Sequence, residues 1–348
     1  MLYGSYLETA APARGRTLEE LRQFLARMDL RYDDGVEFTA LLRDGEGQIL
    51  ATASLQGGVV KCVAVDPAQQ GEGLTATVLT AVRREALARG QRHLFLYTKP
   101  GNLAQFAGLG FSAVAKTDRV LLMEDQRGGF DAWADGVACP GAEAPVGAVV
   151  MNCNPMTLGH RYLLETAAAQ CGHLYVLVVS EDKSAVPAED RLALVRATAA
   201  DLHNVSVAET GRYLISSATF PDYFLKDRGQ AGAVWADLDA AVFCRLAAKL
   251  GITRRFVGSE PFCPVTAAYN RCLAEVLPAH GVELTELPRL EREGTAVSAT
   301  AVRELVRQGR WQETRSLVPE ATFAYLSREE NREKILGRML VKKVQALF

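Results

Sequence analysis

The segment Asn152-Cys153-Asn154-Pro155-Met156-Thr157-Leu158-Gly159-His160 gathers residues suited to handling a polyphosphate. It follows the apolar run Val146–Met151 and precedes a helical pattern at 161–170. A strand, a tight turn and a helix start bring backbone N–H groups to a phosphate, where the helix dipole also favours negative charge. Gly159 lets the backbone approach a ligand closely. Thr157 and His160 add side-chain donors at the helix mouth, and Asn152 and Asn154 occupy the strand-to-turn segment beside them. The expected ligand is a nucleoside triphosphate. Imidazole and N–H donors placed there would stabilise charge growing on the phosphates during attack at phosphorus.

A second helix mouth lies near the other end of the chain. Val297-Ser298-Ala299-Thr300-Ala301-Val302-Arg303 opens a helix that stops at Gly309. Ser298 is a natural N-cap. Arg303 sits near the helix start, where a cation opposes the dipole unless an anion is bound. Ser298, Thr300 and Arg303 are therefore expected at the same phosphates.

Other candidates lie where strands are expected to end. Lys183, in Ser180-Glu181-Asp182-Lys183-Ser184, could reach a phosphate or belong to a solvated loop. Arg191 reads better as an ion pair with Asp190 than as a site residue. Hydroxyls and aromatics between Tyr213 and Lys226 could shape a pocket or form a polar loop capped by a buried aromatic pair. Ser259 and Glu260, in Gly258-Ser259-Glu260-Pro261, could accept hydrogen bonds from a ribose or an adenine edge, or serve only the turn.

The elements needed to hold these groups are legible as two regions. Turn formers at 125–129 and 139–145 mark a boundary. We expect a first domain at 1–130, a linker at 131–145 and a second domain at 146–348. In the second, strands at 147–151, 174–180, 205–209 and 255–258 alternate with helices at about 159–170, 188–201 and 238–250. Repeated βα units of this length imply a Rossmann-like parallel sheet that binds ligands at the carboxyl ends of its strands. Helices at 299–308 and about 327–340 end the chain. The first region predicts an α+β arrangement: a helix at 17–28, strands at 37–43, 49–55, 59–65 and 93–98, and helices at 74–89 and 102–109. Asp44-Gly45-Glu46-Gly47 supplies hairpin chemistry between the first two strands.

Composition narrows the function classes. Hydrophobic residues make up 49% and charged residues 23% of 348 residues, a globular balance. A net charge of −2 argues against a nucleic-acid footprint or a polybasic membrane patch. No apolar run reaches the ~18 residues a spanning helix needs. The seven cysteines are scattered and form no Cys-x-x-Cys pair, which predicts reduced thiols in a cytoplasmic protein.

Thr157-Leu158-Gly159-His160 resembles the T/H-x-G-H signature of the nucleotidylyltransferase superfamily. Val297-Ser298-Ala299-Thr300-Ala301-Val302-Arg303 resembles its second signature, Ile-Ser-x-Thr-x-x-Arg, with Val297 in the first position. Asn-x-Asn-Pro before the turn, the Ser-Glu-Asp-Lys-Ser loop, the Ile215–Lys226 block and Gly-Ser-Glu-Pro together look like the [citrate (pro-3S)-lyase] ligase family. In the first region, Gln70-Gly71-Glu72-Gly73 between a strand and a long helix resembles the acetyl-CoA loop of GNAT acetyltransferases, with Thr75 in place of a small residue. The later Gly108-Leu109-Gly110-Phe111 fits the same fold. Acetyl transfer there lacks a convincing general base, because His93 at a strand start reads as structural.

The resemblance implies ATP and acetate as substrates, with Mg²⁺ carried by the nucleotide phosphates. It implies a thiol acceptor on the CoA-derived group of the citrate lyase acyl-carrier subunit, and acetyl adenylate as the intermediate. His160, Lys183 and Arg303 would be catalytic. Asn152, Asn154, Thr157, Gly159, Ser259, Glu260, Ser298 and Thr300 would hold the nucleotide. Two readings stay open beside it. One is an adenylyltransferase acting on a phosphate acceptor such as phosphopantetheine or nicotinamide mononucleotide. The other is a CoA-sensing regulatory module.

Overall fold

A computed structural model describes residues 4–33, 35–214, 220–221, 223–225, 227–259, 264–292 and 295–345. The chain forms two compact units: Met1–Asp131 with Phe220–Ala241, and Ala132–Thr219 with Val242–Phe348.

In chain order the earlier elements are β1 (Tyr6–Ala10), α1 (Gly15–Ala26), β2 (Phe38–Arg43), β3 (Ile49–Gln56), β4 (Val59–Val65) and α2 (Leu74–Ala88). Then come β5 (Phe95–Thr98), α3 (Leu103–Ala107), β6 (Ser112–Lys116), β7 (Leu121–Glu124) and α4 (Gly129–Val137). The first unit's sheet has seven strands in the order β1-β2-β3-β4-β5-β7-β6. The expected hairpin forms: Asp44 Oδ1 accepts the N–H groups of Glu46 at 3.0 Å and Gln48 at 2.8 Å, and Gly47 takes φ +85°. Helix α2 buries Leu74, Val78, Leu79, Val82 and Ala86 against the sheet. That three-to-four spacing puts them on one face, each worth roughly 1.5–3 kcal/mol for a full-sized side chain.

Strands β4 and β5 run parallel but pair only at Val59↔Phe95 and Val60↔Leu96. Past that point a cavity of about 750 Å³ is lined by β4 and β5 residues, Gln70, Gly73, Thr75, Tyr223 and Phe224. Tyr223 is buried, and its hydroxyl donates to the Tyr97 carbonyl at 2.9 Å. His93 does not line this cavity; its Nε2 lies 2.8 Å from the buried Glu124 carboxylate, which also accepts the Phe130 N–H. That arrangement gives His93 a structural place.

The later elements are β8 (Val146–Met151), α5 (Leu158–Ala168), β9 (His173–Val178), α6 (Ala188–Ala199), β10 (Val205–Glu209), α7 (Ala231–Leu250) and β11 (Arg254–Gly258). They continue with α8 (Pro264–Val276), β12 (Glu283–Leu287), the short pair β13 (Glu291–Arg292) and β14 (Thr295–Ala296), α9 (Ala299–Arg307), α10 (Glu320–Ser327) and α11 (Glu329–Gln345). The second unit's sheet is parallel throughout, in the order β10-β9-β8-β11-β12. Numbered along the sheet's own strands this is 3-2-1-4-5, the Rossmann-like order. Strand β9 is buried along its whole length and β8 nearly so, as a two-sided parallel sheet requires.

The order of the sheet reverses between β8 and β11. Crossovers leave a crevice outside the carboxyl ends at such a point, and ligands bind there. Asn152 leaves β8 and Ser259 leaves β11, so both emerge at this crevice. Part of the stretch 131–145 is helical, because α4 reaches Val137 and Trp133 stacks on Tyr213 with ring centroids 4.8 Å apart.

Candidate active site

Thr157 caps α5 in extended backbone conformation. Its hydroxyl accepts the His160 N–H at 3.3 Å, and His160 Nδ1 accepts the Thr157 N–H at 3.0 Å. This is a reciprocal capping box in which histidine fills the place usually taken by Glu or Gln. The box fixes the ring as well as the helix start. With Nδ1 accepting, the neutral imidazole carries its proton on Nε2. Leu164, Ala167 and Ala168 anchor α5 to the core formed with β8 and β9.

The second mouth is built the same way. Ser298 caps α9, its hydroxyl accepting the Ala301 N–H at 3.2 Å. Val302 and Val306 bury α9 against Val186, Val318, Leu326 and Ile335. The two mouths are joined directly. A Cβ at Gly159 would lie 3.0 Å from the Val297 carbonyl oxygen, tighter than side-chain carbons ordinarily pack, so glycine favours this close approach of α5. Arg303 Nη1 donates to the Asn154 carbonyl at 2.5 Å, and Nη2 to the Thr300 hydroxyl at 3.0 Å. The close approach anticipated at Gly159 is thus, in part, to the chain's own second motif.

Between the mouths lies a cavity of about 700 Å³, within the range of small-ligand sites. Asn152, Thr157, Gly159, His160, Ser298 and Thr300 all line it. Asn154, Lys183, Ser259 and Arg303 are not among the lining residues. Asn154 braces the turn instead: its Oδ1 accepts the Val186 N–H at 2.8 Å and its carbonyl accepts from Arg303. Ser259 ties the strand ends, donating its N–H to the Leu287 carbonyl at 2.8 Å. Lys183 is exposed on the loop after β9. Glu260 and residues 215–219, 222 and 226 lie outside the described residues.

Two arginines take places that the local sequence does not show. Arg191 makes no pair with Asp190, which instead accepts from the Tyr325 hydroxyl at 2.8 Å. Its side chain is fully buried and donates to the carbonyls of Asn152, Val179, Glu181 and Val186 and to Asn152 Oδ1. It therefore ties the turn after β8 to the loop after β9. Arg289 lines the cavity, with its Nε donating to the Ser259 carbonyl at 2.8 Å. It follows β12, whose Glu-Leu-Thr-Glu-Leu carries neither an apolar run nor a strict alternation to mark it as a strand.

Comparison with known proteins decides the family. Residues 146–326 match the family described as the citrate lyase ligase C-terminal domain. A [citrate [pro-3S]-lyase] ligase of Klebsiella pneumoniae is 41% identical over 317 residues, covering 88% of this chain and 92% of that protein. The chain belongs to the citrate lyase ligase family. The protein of the same description from Escherichia coli (strain K12) is 37% identical, covering 94% of this chain and 95% of that one. Among solved structures, an acyl-CoA N-acyltransferase from Pseudomonas aeruginosa overlaps 35% of this chain and 99% of its own, at 19% identity and a TM-score of 0.31.

The charge states of this ligase's site follow from burial. The His160 ring, half-buried in the cavity wall, is pushed down to about 4, first by desolvation and then by the positive charge of Arg289. Free imidazole titrates near 6.5, so the neutral form stabilises the fold fully above about pH 6.5, and that contribution is lost as pH falls through the lowered pKa. His160 is thus a neutral Nε2–H donor at working pH. We expect its Cε1–Hε1 NMR signal to show no titration between about pH 5.5 and about pH 8; an inflection near pH 6.5 contradicts this environment. Burial pushes the Cys153 thiol up, which keeps it protonated and unreactive although it sits in the turn.

Gly159→Ala separates helix stability from site geometry. Alanine gains about 0.8–1 kcal/mol of helix propensity. Overpacking against the Val297 carbonyl costs about 1–3 kcal/mol. Melting temperature should change by only a few degrees, whereas parting the two mouths should weaken about tenfold or more the ATP binding proposed below for this cavity. Unaltered ATP affinity in calorimetry contradicts the joined-mouth geometry.

Proposed function

We propose that this ligase uses ATP to activate acetate and transfers the acetyl group to a thiol on citrate lyase. The acceptor is the thiol ending the CoA-derived prosthetic group of the lyase's acyl-carrier subunit. The observation that carries this reading is the single cavity shared by the Thr157–His160 and Ser298–Thr300 helix mouths. Two capped helices aimed at one space suit a chain of phosphates, since each mouth supplies N–H donors and positive dipole charge.

In the first step an acetate oxygen attacks the α-phosphorus of ATP. The bond to the β-phosphate bridging oxygen breaks, giving acetyl adenylate and pyrophosphate. The α5 N-terminus and His160 Nε2–H stabilise the oxygens on which charge gathers. Thr157 holds the imidazole and orients the α- and β-phosphates. Ser298 and Thr300 face the departing pyrophosphate. Arg303 holds the β8 turn against α9, and Lys183, exposed on the loop after β9 and outside the cavity lining, takes no part in this step. In the second step the carrier thiol attacks the acetyl carbonyl, its proton leaves to solvent, and AMP departs. No protein nucleophile is needed, in keeping with the protonated, enclosed Cys153.

Magnesium would travel with the nucleotide. Among the described residues no group of three or more His, Cys, Asp or Glu side chains converges on a metal position. Phosphate oxygens supplying most ligands is the usual arrangement for this ion. When bound it neutralises charge between the phosphates. No described helix is long and apolar enough to cross a membrane, and we place the reaction in the cytoplasm, where ATP is supplied.

The direct test incubates the protein with ATP, acetate and deacetylated citrate lyase. Return of citrate cleavage, with one AMP formed per thiol acetylated, supports the reading. A dinucleotide product formed without acetate overturns it.

A further inference from the structure

We propose that Arg289 is the cation that grips the triphosphate in the second unit's cavity, a role that rests on the reading of this cavity as the ATP site. The cavity is short of positive charge. ATP brings several negative charges, yet the two cations expected to meet them, Lys183 and Arg303, do not line the cavity. His160 is neutral and offers only a dipole. Among the described lining residues Arg289 alone carries a fixed positive charge.

Its placement fits the task. Arg289 leaves the sheet two residues after β12, on the far side of the switch point from Asn152. Its Nε is held by the Ser259 carbonyl at 2.8 Å, and Ser259 is itself held by the Leu287 carbonyl at 2.8 Å. The ends of β11 and β12 thus fix the guanidinium before any ligand arrives. A preorganised planar fork can donate two parallel hydrogen bonds to a phosphate, which an ammonium cannot. Arg289 and His160 line the same cavity, and the positive charge of the one lowers the pKa of the other. A chain of phosphates lying in the cavity could therefore meet both the His160 Nε2–H and the Arg289 guanidinium. Acetate is the other oxyanion in this reaction, and the test separates the two.

The measurements are ATP affinity by calorimetry, and the KM values for ATP and acetate in acetate-dependent pyrophosphate exchange. They compare the wild type with Arg289→Gln and Arg289→Lys, and melting curves check the fold. Arg289→Gln should bind ATP about 10–100-fold more weakly, the usual range for loss of a charge-assisted pair. Its kcat should fall while the acetate KM stays within about twofold. Arg289→Lys keeps the charge without the fork and should lie between the two. If Arg289→Gln unfolds, Arg289→Lys carries the same comparison. Wild-type ATP affinity in Arg289→Gln, or an effect confined to the acetate KM, overturns the proposal. A wild type that binds ATP yet shows no acetate-dependent exchange overturns the functional reading instead, while ATP affinity still tests Arg289.

Discussion

His160→Ala should lower the turnover of acetate-dependent pyrophosphate release by about 10²–10³-fold with the chain still folded, the usual loss when one preorganised donor is removed from a transition state. The expectation comes from the ring's fixed orientation. Nδ1 is committed to the Thr157 N–H at 3.0 Å, so the ring has one proton to offer and one direction in which to offer it. Because burial holds the imidazole neutral, the lost interaction is a hydrogen bond rather than a charge pair. ATP affinity should therefore fall less than turnover, since the bond strengthens as charge grows at phosphorus. The variant also loses half of its capping box, for about 0.5–2 kcal/mol of stability. A variant of normal stability and near-normal turnover contradicts the assigned role.

Arg191→Met should destabilise the second unit by about 3–5 kcal/mol, the range seen when one side of a buried charged network is removed. Methionine fills a similar volume, so the effect isolates the hydrogen bonds. Arg191 is 0% exposed and donates to four backbone carbonyls and to Asn152 Oδ1. Each carbonyl left without a donor in a dry environment costs about 1–3 kcal/mol. The turn at Asn152 and the loop at 181–186 would lose their common anchor together. Chemical denaturation measures the loss, and a change below about 1 kcal/mol would show that solvent replaces these contacts.

These two residues also show what a sequence exposes. Thr157, His160 and Ser298 were legible because their partners lie three residues away, within the helix starts they cap. Arg191 was not, because its partners are carbonyls, and a carbonyl has no residue type. The neighbouring Asp190 offered an obvious ion pair, but the geometry sends that carboxylate to Tyr325 and the guanidinium inward. Arg289 was hidden for another reason. It reaches the cavity that His160 lines only after the sheet places β12 beside β11 and β11 beside β8, an order not written in local periodicity.

The strands divide in the same way. The apolar runs of β8 and β9 stand out because both faces are covered. Strand β12, at a sheet edge, mixes Glu and Thr among its leucines and carries no such signal. Strand β1 is likewise an edge strand, with exposed and half-exposed residues. Nor does local pattern reveal that Phe220–Ala241 belongs with the first unit. Tyr223 and Phe224 in that segment read as a pocket wall or a buried pair. They are both, since each is buried and each lines the first unit's cavity.

In this mechanism the joined helix mouths activate acetate on ATP. Isotope exchange between pyrophosphate and ATP tests it most directly, with purified protein and without citrate lyase. Exchange should require acetate, and hydroxylamine should trap an acetyl product. Exchange that proceeds equally well without acetate, or no exchange from folded protein that binds ATP, would contradict it.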